Sequence, residues 1–368
     1  MSNSEFKESI ETSNKMNNIH SLTNEELSLI GMTIKKNNRN MIYEDCYTKD
    51  RKIIPDEYKM NIDDKLYKIK KIGSGAFGKI CKIVNLENNS SYAVKIGNIV
   101  SIYSEYDMIK KSLIHGESQY VIKILPGSYI YKNIMIMKLP LYETDLHKII
   151  VHKIPLSNKH ILYILYSILK GLQHLRKCSI IHADLKPSNI FIIGEPNLVV
   201  SIGDLGIAQY NSNGHILEKH VATRHYRPPE VIKCLPYSYE IDMWAFGCIL
   251  YEVVTKEVLF KGDKCGNLSC DFSCDFTYDL DSDDTTLISI DRKNGVYDLI
   301  SNFLKMINDK EKGENDFKNH KIYTTIMSNK YNTDLIELFR RCIVEEPGKR
   351  ITVEEALLYP CFDEFIDD

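Results

Sequence analysis

The sequence predicts an α+β protein of two lobes, in which an antiparallel β-sheet comes first and a mostly helical part follows. Short β-like runs alternate with turn-rich segments from residue 66 to residue 137. A stripe of apolar residues with helical spacing then extends from Ile161 to Leu175, and helical patterns return at 334–344 and 352–358. Sheet and helices therefore occupy different parts of the chain, which is typical of an α+β fold.

Length, composition and charge limit the class of protein. The 368 residues allow two or three compact units at about 100–200 residues each. With 43% hydrophobic and 26% charged residues, the chain is not of a disordered, collagenous or fibrous class. Lys and Arg total 47 against 50 Asp and Glu, a net charge of −3. This balance supplies no overall positive field for nucleic acid or an anionic membrane, so we expect neither as a direct partner.

The apolar runs are too short for a membrane protein. The run from Trp244 to Tyr251 is far below the roughly 20 residues that span a bilayer. The first residues, Met-Ser-Asn-Ser-Glu, lack the basic start and apolar stretch of a signal peptide. We therefore expect an intracellular protein, nuclear or cytoplasmic, whose ten cysteines stay reduced.

Two segments depart from the sheet-then-helix pattern. Residues 1–65 are polar, which predicts a mobile extension before a sheet-containing lobe at 66–139 and a helical lobe at 140–368. Residues 261–330 are irregular and carry six aspartates between 271 and 284, which predicts an insertion. This acidic segment is either a solvated loop or a docking surface for basic substrates. Its cysteines do not have the spacing of a usual zinc site.

The first motif with chemical meaning is a glycine-rich turn between two predicted strands, Gly73-Ser-Gly-Ala-Phe-Gly78. A strand follows it, whereas a helix would follow in a dinucleotide-binding fold. Such glycines let backbone N–H groups close over nucleotide phosphates, although the motif alone could be an ordinary turn. The next strand carries Lys95, whose ammonium needs an anionic partner if it is buried, and ATP phosphates would supply one.

Two further motifs, at 181–192 and 202–206, contain the polar groups that phosphoryl transfer requires. The reaction needs a carboxylate that accepts the proton of the attacking hydroxyl, a cation near the γ-phosphate, and oxygen ligands for Mg²⁺. The residues that supply these groups, in that order, are Asp184, Lys186, Asn189 and Asp204. ATP and Mg²⁺ are therefore the predicted cofactors.

Over residues 66–363, the ensemble resembles the eukaryotic protein kinases. Later landmarks occur in the expected order, at Pro228-Pro-Glu230, at Asp242–Gly247 and at Pro347-Gly-Lys-Arg350. The resemblance implies a two-lobed protein kinase fold with one main helix in the sheet lobe. It implies a monomeric enzyme that transfers the γ-phosphoryl group of ATP to Ser or Thr of protein substrates. Lys186-Pro187 is similar to Ser/Thr kinases, and tyrosine autophosphorylation is a property of some relatives.

The resemblance also assigns roles to matching residues. Asp184 is the catalytic base, Lys95 holds the α- and β-phosphates, and Lys186 assists in catalysis. Glu105 pairs with Lys95; Asp107 is the alternative, but its side chain is shorter and its helical phase is less suitable. The predicted magnesium ligands are Asn189 and Asp204. The predicted ATP contacts, which include the hinge at 138–140, are Ile72, Gly73, Ser74, Gly75, Ala76, Phe77, Gly78, Ile80, Ala93, Lys95, Met137, Lys138, Leu139 and Phe191.

Two departures from the kinase pattern spare the reacting groups. Ala183 stands where an arginine usually precedes the aspartate, and Leu205 stands where phenylalanine is usual. We therefore expect an active kinase, the alternative being a pseudokinase that acts as a binding or scaffold module. Without the arginine, activity should not depend on phosphorylation of the activation segment, Gly206–Glu230. His182 should be a packing residue beneath the loop that carries the predicted magnesium ligand Asp204.

The segment Thr223–Glu230 is similar to the CMGC group of kinases, closest to its cdc2-like (LAMMER), dual-specificity tyrosine-regulated and SR-protein branches. The signature that names the LAMMER kinases is absent. This resemblance implies basic or Arg/Ser-rich substrates. It also predicts that Thr223 bonds beside Asp184 and Lys186, and that Glu230 forms a buried ion pair with Arg350.

Overall fold

The structure is a computed structural model. It describes residues 57–62, 65–75, 78–131, 133–194, 197–212, 214–216, 221–261, 296–308 and 313–366. The chain forms two compact units, one with residues up to Ser101 and Pro126–Leu139, the other with Ile102–Leu125 and the residues from Pro140 onward. One division between the units falls after Leu139, and residues 102–125 belong with the second unit. The predicted extension as far as residue 56, and the acidic segment at 271–284, lie outside the described residues.

The first unit contains a six-stranded antiparallel sheet, which confirms the predicted fold class for this part of the chain. Its order is β1-β2-β3-β4-β6-β5. The strands are β1 Glu57–Ile62, β2 Lys65–Gly75, β3 Gly78–Asn85, β4 Ser91–Asn98, β5 Tyr129–Tyr131 and β6 Ile134–Leu139. The sheet starts earlier than the predicted residue 66, because β1 pairs along its whole length with β2. A period-two pattern is present at Tyr58, Met60 and Ile62, but polar flanking residues obscure it.

One face of this sheet carries an aliphatic core cluster. Its members come from β2, β3, β4 and β6, and they are Ile69, Cys81, Ile83, Val94, Ile96, Ile134 and Ile136. Because successive side chains of a strand point to opposite faces, the residues between them on β3, β4 and β6 lie on the other face. This division decides which side chains of the first unit share a surface.

The second unit is mostly helical and includes small strand pairs. Its helices are α1 Ile99–Ser112, which starts in the first unit, α2 Leu146–Val151, α3 Asn158–Lys177, α4 Pro229–Ile232, α5 Glu240–Thr255, α6 Val296–Asn308, α7 Gly313–Asn319, α8 Lys321–Ser328, α9 Asp334–Cys342 and α10 Val353–Ala356. Its strands are β7 Thr144–Asp145, β8 Ile180–Ile181, β9 Ile190–Ile193, β10 Val199–Ile202 and β11 Gln209–Tyr210. None of the helices in the described part of the chain combines the length and apolarity needed to cross a membrane.

Helices α3 and α5 form the centre of the second unit. The predicted apolar stripe of α3 is buried from Ile161 to Leu175. Helix α5 is buried on nearly all sides from Ile241 to Thr255, as expected for a helix that is apolar all round. The helices near the end of the chain pack on α5 through an aromatic group that includes Trp244, Phe260, Phe303 and Phe339.

The predicted irregular course is wrong for the described residues between 296 and 328, which form α6, α7 and α8, while 309–312 lie outside the described residues. Helix α6 buries Val296, Ile300, Phe303 and Leu304. Their spacing of four, three and one residues places them on one helical face. This pattern is a helix signal that the neighbouring polar sequence obscured.

Candidate active site

The described glycines of the glycine-rich motif lie where β2 ends and β3 begins, and these two strands pair with each other. A β-bulge occurs at Ile72, because the strand register shifts between Lys71 and Gly73. Gly78 has a φ of 146°, and a Cβ there would lie 2.4 Å from the carbonyl oxygen of Ile96. Only glycine permits this approach to β4. Of the predicted hairpin contacts, the described ones are Gly73, Ser74, Gly75 and Gly78, while Ala76 and Phe77 lie outside the described residues.

Lys95 lies on the face of the sheet opposite the aliphatic core cluster. It pairs in register with Ile80 on β3 and Met137 on β6, while Ala93 pairs with Leu139. Lys95 is 7% exposed, which is unusual for a lysine unless its charge is matched. Five predicted nucleotide contacts thus share one surface of the first unit.

The side chain of Lys138 lies away from that surface. Lys138 pairs with Val94 of the core cluster, and its ammonium lies 3.9 Å from the centroid of the Tyr92 ring. A lysine over an aromatic face is held by a cation–π interaction. The predicted contact of Lys138 with ATP is therefore limited to its backbone.

Helix α1 distinguishes between the two acids proposed as partners of Lys95. Glu105 is 3% exposed and shares the buried face of the helix with Ile102 and Ile109. Asp107 forms an ion pair with Lys111 at 2.8 Å on the helix surface. The geometry of α1 thus favours Glu105, and its pairing with Lys95 stays a prediction.

The Asp184 carboxylate is the centre of a hydrogen-bond network in the second unit. Thr223 donates to Asp184 Oδ1 through its backbone N–H at 2.9 Å and its hydroxyl at 2.6 Å. Lys186 Nζ lies 2.7 Å from Asp184 Oδ2 and 2.9 Å from Thr223 Oγ1. The predicted contact of Thr223 with both residues is confirmed. The network holds a carboxylate in one orientation with an ammonium beside it.

Asn189 is bonded to Asp184, and Asp204 follows a residue, Gly203, that is bonded to Asn189. Asn189 Nδ2 donates to the backbone oxygen of Asp184 at 2.9 Å, which leaves the side-chain oxygen of Asn189 as an acceptor. The Gly203 N–H donates to the Asn189 carbonyl at 2.9 Å and so brings the adjacent Asp204 to this place. Amide and carboxylate oxygens are donors that Mg²⁺ prefers. The two residues therefore fit a magnesium ion by the chemistry of their oxygens.

A buried aspartate, Asp242, is bonded to the backbone of the two residues that precede Asp184. Asp242 accepts the N–H groups of His182 at 2.8 Å and Ala183 at 3.0 Å. His182 is fully buried, and its Nε2 lies 3.0 Å from the Gly203 carbonyl. Burial raises the pKa of Asp242, and the attraction of His182 opposes that rise. His182 therefore packs beneath the loop, as predicted, and it is not accessible as a base.

Phe191 of β9 fills the space next to Gly203. Its ring stacks with Tyr142 at a centroid distance of 5.4 Å, and a Cβ on Gly203 would lie 2.4 Å from its Cε2 atom. Glycine at 203 is therefore required for this packing. The predicted contact of Phe191 with ATP remains a prediction.

The predicted ion pair between Glu230 and Arg350 is confirmed. The guanidinium lies 2.7 Å from Glu230 Oε1 and 3.1 Å from Oε2, and the two residues are 3% and 4% exposed. Arg350 also donates to the carbonyls of Glu240 at 2.8 Å and Val344 at 2.9 Å. The arginine thus joins the start of α4, the start of α5 and the loop after α9.

Two further contacts of the same segment were not predicted. The Tyr226 hydroxyl donates to Glu252 at 2.6 Å inside the protein. Burial, together with the charge of Glu252, raises the pKa of Tyr226 well above its ordinary value. Arg227 donates to the carbonyls of Val221 at 3.3 Å and Ala222 at 2.9 Å. Tyr226 and Arg227 lie within the recognised motif at 223–230, but Glu252 could be found only from its place on α5.

Comparison with known proteins shows which family the chain belongs to. The family model described as "Protein kinase domain" matches residues 66–362. Mitogen-activated protein kinase 6 of Oryza sativa subsp. japonica is 31% identical over 303 residues, covering 79% of this chain and 75% of the relative. Mitogen-activated protein kinase 7 of Arabidopsis thaliana is 32% identical over 314 residues, covering 81% and 79% respectively. The chain belongs to the protein kinase family and is a Ser/Thr protein kinase related to the MAP kinases.

Proposed function

We propose that Asp184 is the catalytic base of this kinase and that ATP is its phosphoryl donor. The observation that carries this proposal is the network that joins Asp184, Thr223 and Lys186. A base must be held within hydrogen-bond reach of the proton it accepts. Here two donors from Thr223 fix one carboxylate oxygen and Lys186 fixes the other, so a substrate hydroxyl meets a carboxylate of defined orientation.

The other groups assist the transfer by charge and position. The ammonium of Lys186 stabilises the negative charge on the transferred phosphoryl group. The proposed role of Lys95 is to hold the α- and β-phosphates of ATP, and that of Glu105 is to pair with Lys95. Asn189 and Asp204 would hold magnesium, which when bound neutralises charge on the phosphate oxygens.

A pseudokinase that only binds partners is the alternative. An active kinase needs the complete set of predicted catalytic and magnesium-binding residues, whereas a pseudokinase does not. All five are present in this chain: Lys95, Glu105, Asp184, Asn189 and Asp204. A peptide library with Ser or Thr at the centre, incubated with Mg-ATP, tests the proposal. Phosphorylation by the wild type and its loss in Asp184→Asn support it, while no transfer to any peptide would identify the chain as a pseudokinase.

We infer a substrate class from the backbone beside Thr223. Ala222 has a φ of 62°, and its carbonyl is taken by Arg227 at 2.9 Å. A substrate whose hydroxyl reaches Asp184 passes Thr223, and the N–H of its next residue therefore finds the nearby carbonyl already engaged. Desolvating an unpaired N–H costs about 1–3 kcal/mol. Proline, which has no N–H, avoids this cost.

We expect peptides with proline after the phosphorylated residue to be preferred by roughly tenfold or more in kcat/KM, the equivalent of about 1.4 kcal/mol. An N-methylalanine at the same position separates the missing N–H from the proline ring, and it should restore most of the preference relative to alanine. Equal rates for alanine, N-methylalanine and proline would contradict the role given to Ala222 and Arg227.

The cdc2-like assignment, and with it a preference for Arg/Ser-rich substrates, is a separate part of this proposal. It is supported by the segment Thr223–Glu230, whereas the relatives named above are MAP kinases. The same peptide library distinguishes the two, because it varies arginine around the central serine independently of proline. Selection of arginine upstream of the serine would support the cdc2-like branch.

Activity should not require phosphorylation of the activation segment. Ala183 supplies no cation for a phosphate, and its carbonyl instead accepts the Ala222 N–H at 2.8 Å. Pairing of Gln209 with Ile181 holds the other end of the segment. Treatment with a phosphatase, followed by its removal and a rate assay, should change the rate less than about twofold. A large fall that only an upstream kinase reverses would contradict this expectation.

A further inference from the structure

The C-terminal end of helix α1 is bonded to α3 within the second unit. Its last residue, Ser112, is buried, and the Ser112 carbonyl receives two side chains from α3. His174 Nε2 lies 2.7 Å from this oxygen, and Cys178 Sγ lies 3.3 Å from it. A carbonyl oxygen only accepts, so Nε2 of His174 carries the proton of this bond. Burial raises the pKa of the Cys178 thiol, which keeps it a neutral S–H donor.

The chain that follows α1 stays attached to the same unit. The Ile122 N–H donates to the Ile202 carbonyl at 2.8 Å, and the Ile202 N–H donates to the Tyr120 carbonyl at 2.8 Å. Ile202 ends β10, two residues before Asp204. The end of α1 and the residues after it are therefore bonded both to α3 and to the strand that leads to the proposed magnesium ligand.

Glu105 lies on the same face of α1 as Ser112. The buried residues of the helix are Ile102, Glu105, Ile109 and Ser112. Their spacing of three, four and three residues defines one helical face. The seven residues from Glu105 to Ser112 extend about 10 Å along the axis at 1.5 Å per residue. Because both residues belong to one continuous helix, a shift of the Ser112 carbonyl also shifts the Glu105 carboxylate.

We propose that His174 is a positioning residue for the kinase reaction. By holding the Ser112 carbonyl it sets the place of α1, and with it Glu105, relative to Asp184 and Asp204 of the same unit. The inference rests on the proposed function, in which Glu105 orients Lys95 toward ATP. Since His174 acts through Glu105, its loss should affect the use of ATP and leave the affinity for peptide unchanged.

Two matched variants test the bond. His174→Met and His174→Gln have unbranched side chains of similar length, but only glutamine retains an N–H donor. We expect His174→Met to raise the KM for ATP about five- to tenfold and to lower kcat, with an unchanged KM for peptide. His174→Gln should stay within about twofold of the wild type. His160→Met, at an exposed position of the same helix, is the control and should not change these constants.

A double-mutant cycle with Glu105→Gln shows whether the effect passes through Glu105. Once Glu105 is replaced, adding His174→Met should not raise the KM for ATP further. If His174→Met is poorly folded, the same measurements are made on His174→Phe, which keeps a ring at this position but lacks the N–H donor. An unchanged KM for ATP in an active enzyme, or additive effects in the cycle, would overturn the inference. A failure of the proposed function would give a different result from a failure of this inference, since the wild type itself would then transfer no phosphate.

Discussion

Asp204→Asn is expected to lower the rate of phosphotransfer by roughly 10²–10³-fold, the size of effect seen when a single electrostatic contact to a transition state is lost. The change removes the negative charge of a proposed magnesium ligand and keeps the shape of the side chain. Asp204 has a φ of 60°, a conformation that asparagine tolerates better than most residues. The fold should therefore persist.

The measurement is a peptide phosphorylation assay over a range of magnesium concentrations, with binding of an ATP analogue and thermal unfolding followed in parallel. Binding of the analogue and the unfolding midpoint should change little. Asp363→Asn makes the same chemical change at an exposed acid near the end of the chain, and it serves as the control. A rate for Asp204→Asn equal to that of the control would show that Asp204 does not hold the metal.

Arg350→Ala should be the most destabilising single change proposed for this protein. The guanidinium forms a two-pronged pair with Glu230 and also donates to the carbonyls of Glu240 and Val344. Its removal leaves a buried carboxylate without its partner, which costs about 3–5 kcal/mol. That is a large share of the roughly 5–15 kcal/mol that holds a protein folded. Arg350→Lys should recover little, because one ammonium cannot replace the planar fork.

Thermal unfolding and peptide kinetics measure this effect. Glu230 lies in the first turn of α4, at the end of the activation segment, so local loosening there should raise the KM for peptide before the KM for ATP changes. Arg341→Ala is the control: its pair with Glu355 is half-exposed, at 3.4 Å, and an exposed pair contributes only about 0–1 kcal/mol. Equal unfolding midpoints for Arg350→Ala and Arg341→Ala would contradict the importance of the buried pair.

Parts of the fold were predictable because their periodic patterns are strong and local. The stripe of α3 and the strands from β2 to β4 have clear spacing, and the structure confirms them. Strand β1 and helices α6 to α8 were missed. In both regions short apolar patterns are embedded in polar sequence, and pairing or packing with distant residues supplies the stabilisation that local propensity does not.

The candidate site also contains a part that could be predicted from local sequence and a part that could not. Asp184, Lys186 and Asn189 lie within six residues of one another, and their order alone suggested phosphoryl transfer. The contacts between Thr223 and Asp184 and between Arg350 and Glu230 were available only through resemblance to kinases, since 39 and 120 positions separate the partners. Asp242 and Tyr226 belong to recognised motifs, but the bonds of Asp242 to His182 and Ala183 and the bond of Tyr226 to Glu252 were not predicted from the sequence.

The sequence by itself determined the order of sheet and helices, the residue types that phosphoryl transfer requires, and the family. Tertiary structure alone decided which face of the sheet each side chain occupies, as the opposite directions of Lys95 and Lys138 show. It also decided that Glu105 is buried while Asp107 is bonded at the surface, and that His174 reaches the end of α1. The reason is that spacing along a chain sets only local periodicity, whereas burial and long-range hydrogen bonds depend on which elements pack together.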